Sequence, residues 1–189
     1  AERQAVTISK CLKDDRFEVI YHLFGPKNDL GNFIPKHRKM VYHEEPKFTH
    51  NLILHMRLII KNEKPDIVYG SGMPLNWRLV LASAFKHVKI LLRNENYIYS
   101  QSLLQKFRLA VTYRFADYII AQTDEMRDGL INGLHLNHSL VHTMSNAIDK
   151  EYIDRCIRQP SPFKDDDSLK FVAVGRFHRD KGFDLLLRA

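Results

Sequence analysis

Apolar positions along the chain switch repeatedly between a helical period and short continuous runs. Between Ala1 and Leu12, the residues Ala5, Ile8, Cys11 and Leu12 recur at three- and four-residue spacing, which predicts a helix burying that face. FEVIYHLFG, 17–25, reads as a strand that Gly25-Pro26 ends. Residues 27–47 are polar, basic and aperiodic, predicting a long loop with a short strand around Met40 to Tyr42. In 48–65, Leu52, His55, Met56, Ile59 and Ile60 share one helical face, and Pro65 ends the element.

Strands and helices then alternate. DIVYG, 66–70, VKILLR, 88–93, YIIAQT, 118–123, and SLVHTMSN, 139–146, predict strands. Helices are expected over 75–86, 100–115, from an Asp124 N-cap to near Gly133, and over 150–158. The 100–115 helix is expected to pack Leu103, Leu104, Phe107, Val111 and Phe115 into the core behind a basic outer face. QPSPFKDDDS, 159–168, is the one linker-like composition, and after it Phe171 to Val174 predict a new strand, then a turn and an amphipathic helix.

Continuous apolar strands alternating with helices are what a parallel sheet buried on both faces requires. The expected fold is α/β: an open, doubly wound parallel sheet over 1–158, a linker over 159–168, and the first strand and helix of a second such unit over 169–189. Ligands of such sheets bind at the carboxyl ends of the strands. That rule selects Gly70 to Met73, Arg93 to Tyr97, Gln122 to Asp124, Ser145 to Asp149, and Gly175 to Lys181.

Composition narrows this without deciding it. Apolar residues make up 44% and charged residues 27%, ordinary for a globular protein, and the net charge of +7 favours anionic partners. The cations are read as dispersed and no recognition motif accompanies them, which argues against nucleic acid. No apolar run is long enough to span a bilayer, and no leader pattern opens the chain. Cys11 and Cys156 are expected to be buried or half-buried thiols in a reducing compartment, which suggests a cytoplasmic protein. Because residue 1 is Ala and the pattern begins within a helix, the chain is expected to be a fragment.

Chemistry concentrates at the end, in KFVAVGRFHRDKGFDLLLRA, 170–189. Arg176 follows the expected strand and Lys181 opens the expected helix, so a forked donor and a mobile cation flank a strand end. Gly175 removes side-chain bulk at the turn. Together they suit a diphosphate. HLNH, 135–138, lacks further ligands at zinc spacing, and KDDD, 164–167, sits in the linker rather than after a strand, so no metal is expected. No GxGxxG is present to support a dinucleotide cofactor.

VAVGRFHRDKGFDLLLRA resembles the motif opening the C-terminal domain of retaining glycosyltransferases of family 4, which have the GT-B fold; Gly175, Arg176, Phe177, Lys181, Gly182 and Asp184 match it. VHTMSNAID resembles the Asn-Gly-Val/Ile-Asp turn that closes the N-terminal domain, with Ala147 in place of Gly. RFADYIIAQTDEMRDGL resembles an aromatic-Ala-Asp strand with a Ser/Thr-capped helix, AERQAVTISKCL the helix after a Gly-Gly pair, and PDIVYGSG a strand entering the cleft.

The resemblance implies a Rossmann-like acceptor-side domain and the start of a donor domain. It implies sugar transfer with retention from a nucleotide-sugar, UDP- or GDP-linked, to a glycan or lipid-linked acceptor. No separate cofactor or metal is implied. By the same resemblance Arg176 and Lys181, with Gly175, bind the donor diphosphate. Ser71, Gly72, Arg93, Asn94 and Asn146 fall on the acceptor side. Glu95 stands where many members carry a loop His, and is the candidate catalytic residue. The alternatives left open are a non-catalytic phosphate- or nucleotide-binding α/β module and a GT-B-like epimerase. Peripheral association of the 100–115 helix with an anionic membrane, at the inner face of the plasma membrane, is also left open.

Overall fold

The computed structural model of the chain describes residues 2–25, 29–43, 50–160, 169–175 and 177–188. It divides into two compact units, Ala1–Asp149 and Lys150–Ala189. Residues 161–168 of the expected linker, including KDDD, lie outside the described residues.

The first unit runs α1 (Glu2–Lys10), β1 (Ile20–Phe24), β2 (Lys39–His43), α2 (His50–Glu63), β3 (Ile67–Ser71), α3 (Met73–Ser83), β4 (Lys89–Arg93), α4 (Leu103–Tyr113), β5 (Tyr118–Ala121), α5 (Asp124–Leu134) and β6 (Val141–Thr143). The parallel α/β architecture expected from the alternating pattern is the one observed. β3, β4, β5 and β6 lie side by side in chain order, all parallel, and β1 and β2 form a separate parallel pair. Right-handed crossovers put α3, α4 and α5 on one face of the four-stranded sheet. There Leu92, Ile119 and Val141 pack against Val80, Leu109, Tyr113 and Leu130. α2 joins this layer through a smaller cluster of Leu52, Met56 and Ile60 with Ala82.

Two helices differ from expectation in what they bury. On α1 the buried side chains are Val6, Thr7 and Ser9, while Ala5 and Ile8 are half-buried and Cys11 is exposed. Polar contacts account for this: the Arg38 guanidinium donates to the Ser9 and Leu12 carbonyls at 2.6 and 2.8 Å, drawing that side inward. Cys156 is exposed too, and both thiols are free, so neither is the buried cysteine expected.

On α4 the expected core face points outward. Leu103, Phe107 and Phe115 are 84%, 68% and 70% exposed, and Leu104 and Val111 are exposed with them. The inward face is Leu109, Thr112 and Tyr113. Tyr113 fixes this rotation, because its hydroxyl is held inside the unit by Asn76 and Asn94. A capping box of Ser102 and Gln105 starts the helix.

At α5 the N-cap is Thr123, whose hydroxyl accepts from the Met126 amide at 3.2 Å, and not Asp124. Asp124 instead accepts from Arg127 at 2.8 Å and from the Thr143 hydroxyl at 2.6 Å, tying the helix start to β6.

The second unit holds α6 (Lys150–Ile157) and α7 (Phe183–Leu186), with a 3-10 turn at Arg179–Lys181 before α7. The stretch 171–174 does not form the expected strand. A strand exists by pairing, and no neighbour among the described residues supplies a ladder to it. Gly182 takes a left-handed φ of +63° at the start of α7. That conformation favours glycine.

Candidate functional site

The carboxyl ends of β3, β4 and β6 converge in the first unit, and they bring together most of the residues selected from the sequence. Ser71 ends β3 directly beside Arg93, the last residue of β4. The Ser71 hydroxyl donates to Glu95 Oε1 at 2.8 Å, so the candidate catalytic carboxylate sits at the mouth of β3. Gly72 follows with φ +102°, a conformation side chains rarely tolerate, and its amide donates to the Arg93 carbonyl at 3.3 Å. The Gly72 carbonyl then accepts the first amide bonds of α3.

Arg93 is fully buried. Its Nη2 donates to Asn146 Oδ1 at 2.9 Å and to the Met144 carbonyl at 3.3 Å, linking the end of β4 to the turn after β6. Its Nε and Nη1 have no hydrogen-bond partner among the described residues. A buried guanidinium in this state gives a concentrated positive field at the strand ends. Tyr69, two residues before Ser71 on the same sheet face, feels both influences. Burial pushes its phenol up, and the Arg93 charge pulls against that.

Asn94 is not free to meet a ligand. It is fully buried, and its Nδ2 donates to the Asn96 carbonyl at 2.7 Å. Its role is to shape the loop that presents Glu95.

Three contributors are not among the site residues selected from the sequence. Asn76 on α3 donates to the Arg93 carbonyl at 2.9 Å and to the Tyr113 hydroxyl at 3.1 Å. It anchors β4, α3 and α4 at one point. Burial pushes the Tyr113 phenol far up, so it stays a neutral hydrogen-bonding group. The signal in the sequence was an Asn inside a largely apolar helix stretch, MPLNWRLVLA, whose only other polar residue is Arg78. Gln4 of α1 clamps the turn after β6: its amide donates to the Ala147 carbonyl at 3.2 Å and accepts from the Ala147 amide at 2.9 Å. Lys10 adds an ion pair to Asp149 at 2.7 Å. Two of the quoted motifs, AERQAVTISKCL and VHTMSNAID, therefore meet in space and hold Asn146 toward Arg93.

The closing motif belongs to the second unit. Arg176 lies outside the described residues. Lys181 ends the 3-10 turn and is exposed. A Cβ on Gly175 would stand 3.2 Å from the Phe183 ring, which packs at 5.5 Å from Phe177. The glycine leaves room there for the aromatic packing. Among the described residues no group of three or more metal-ligating side chains comes together.

The family profile of Glycosyltransferase Family 4 matches residues 1–152, most of the chain. The chain belongs to this family. Solved structures agree on the fold. HepE of Anabaena, in complex with UDP and glucose, superposes with a TM-score of 0.63 at 15% identity, over 79% of this chain and 42% of HepE. A glycosyltransferase from Rickettsia africae gives 0.64 at 17% identity, over 84% of this chain and 42% of its own. The family 4 chain thus spans less than half the length of these structures. No curated protein sequence matches it. The Rossmann-like half of a GT-B fold expected from the motifs is therefore the fold present.

Proposed function

We propose that the chain is the acceptor-side part of a glycosyltransferase that moves a sugar from a nucleotide-sugar to a glycan or lipid-linked acceptor with retention of configuration. The observation that supports this most directly is the Ser71–Glu95 pair at the strand ends of a family 4 chain, beside the buried Arg93. In this reading the bond from the anomeric carbon to the diphosphate breaks and a bond to the acceptor oxygen forms. Glu95 accepts the hydrogen bond of the incoming hydroxyl, which replaces Ser71 as its donor, and then takes the proton that hydroxyl loses as the new bond forms. Arg93 supplies positive field, and Gly72 leaves the approach open, since nothing lies within 4 Å of the position its Cβ would take. Arg176 and Lys181, with Gly175, hold the donor diphosphate as negative charge develops on it. No metal or separate cofactor takes part. A UDP-linked donor is favoured over a GDP-linked one by HepE, which was solved with UDP and glucose. The enzyme works in the cytoplasm.

The test is the full-length protein supplied with UDP- and GDP-sugars, measuring nucleoside diphosphate release and the anomeric configuration of the product. Release with a retained anomer is expected, and Glu95→Gln should lower kcat by roughly 100-fold or more. Lys181→Ala should act chiefly on donor binding. Nucleotide binding without turnover would replace this reading with a non-catalytic module. Interconversion of the nucleotide-sugar without acceptor would replace it with an epimerase. The 189-residue chain alone is expected to incorporate no labelled sugar.

A further inference from the structure

Six of the seven net positive charges of the chain arise within residues 67–116, where seven Lys and Arg stand against a single carboxylate, Glu95. That carboxylate accepts from Ser71 at the strand ends. α3 and α4 have no acidic residue at all. Two guanidiniums, Arg78 of α3 and Arg108 of α4, stack on the one indole of Trp77 at 4.3 and 4.6 Å. Burial lowers the Arg78 pKa, and the charge of Arg108 lowers it further. Like charges held this close with no acid on either helix favour an anion between or above them.

The same helix presents an apolar stripe to solvent. Leu103, Phe107, Val111 and Phe115 follow at intervals of four, with Leu104 beside them, and all are exposed. At 100° per residue Lys106 and Arg108 fall on the two shoulders of this stripe, and Arg114 falls within it. Tyr99 stands at one end, 64% exposed, with the Lys106 ammonium 5.9 Å from its ring. An apolar centre, basic shoulders and an aromatic rim are the three features of a helix that lies in the plane of a bilayer interface. Bases and phosphates of a nucleic acid would use the cations but give no reason for five exposed aliphatic and aromatic side chains.

We propose that this face of α4, with Arg78 of α3, docks on the surface of an anionic bilayer. Leu103, Phe107, Val111 and Phe115 enter the headgroup boundary, and Arg78, Lys106 and Arg108 meet lipid phosphates. The inference does not depend on the chemistry assigned to Glu95.

Flotation of the full-length protein with vesicles of phosphatidylcholine alone, or mixed with phosphatidylglycerol, tests it. Binding to the mixed vesicles is expected to be at least about ten-fold tighter and to weaken with salt. Phe107→Ser should reduce it by about ten-fold or more, and Arg108→Gln by roughly five-fold. Both side chains lie at the surface of the helix, and unchanged circular dichroism and melting would show the fold intact. Three outcomes would overturn the proposal. The first is equal binding to neutral and anionic vesicles, or none to either. The second is wild-type vesicle binding by folded Phe107→Ser. The third is a solution dimer that Phe107→Ser converts to monomer, which would assign the face to a second copy. Failure of sugar transfer in the same preparation would leave these readouts unaffected.

Discussion

Arg93 organises the strand ends of the first unit through single atoms. Its carbonyl accepts from Asn76 and Gly72, and its Nη2 holds Asn146, so one residue fixes the ends of β3, β4 and the turn after β6. Removing Asn146 leaves a buried cation with one donor less satisfied. Asn146→Ala should therefore destabilise by about 1–2 kcal/mol. In an Arg93→Met background the same change should cost close to nothing. Urea unfolding of the four proteins in that cycle measures the coupling. Gly70 sets a second test. A Cβ there would lie 2.8 Å from Asn76 Oδ1 and 3.0 Å from a Leu79 methyl, and Asn76 is pinned by its own bonds. Gly70→Ala should cost about 1–3 kcal/mol by displacing Asn76 from Arg93, visible as a lower melting temperature. The strand-end rule found Ser71, Gly72, Arg93, Glu95 and Asn146, because a parallel sheet fixes where its loops gather. It could not assign Asn94 to the interior, nor find Asn76, because those depend on which way a particular side chain packs.

At the scale of elements, period tells that a helix has two faces but not which neighbour each face meets. α2 obeys its stripe, with Leu52, Met56 and Ile60 buried. α4 breaks the expectation, because the polar cluster around Tyr113 outweighs its longer apolar stripe in setting the rotation. The concentration of charge in 67–116 was legible in the sequence, and reading the cations as dispersed passed over it. The contact between the β1–β2 pair and α2 makes a further prediction. His43 of β2 is hydrogen-bonded through its two ring nitrogens to His22 of β1 at 2.9 Å and to His55 of α2 at 2.8 Å, with Phe24 stacked on the same imidazole. Burial lowers the pKa of His43, and His55 and His22 lower it further. Burial also lowers His22, against Glu63, whose charge is shared in an ion pair with Lys39 at 3.0 Å. The folded chain therefore binds fewer protons than the unfolded chain just below the ordinary value of 6.5. Stability should be fully present above that pH and fall as the medium is acidified toward the lower folded-state values. Urea midpoints between neutral and mildly acidic pH should show this slope, and His43→Phe should flatten it while keeping the stack.

For the whole molecule, the distribution of burial separates the two units. Among the described residues, the hydrophobic core lies between Val6 and Val141, and none from Lys150 onward is buried. Phe171, Val174, Phe177 and Leu187 are among the most exposed apolar side chains of the chain. Apolar segments of this kind are stabilised by packing against others, and these side chains make little such packing among the described residues. The stability of the 189-residue chain should then reside in the first unit. A chain ending at Arg158 should melt within about 2 °C of the longer one, because little apolar surface is lost from burial. Limited proteolysis should cut within 159–188 first and leave a resistant core ending near the start of α6. A drop of melting temperature by about 5 °C or more on shortening would mean that the closing motif stabilises the first unit. The family motif would then have a structural part in this chain beyond the diphosphate grip proposed for it.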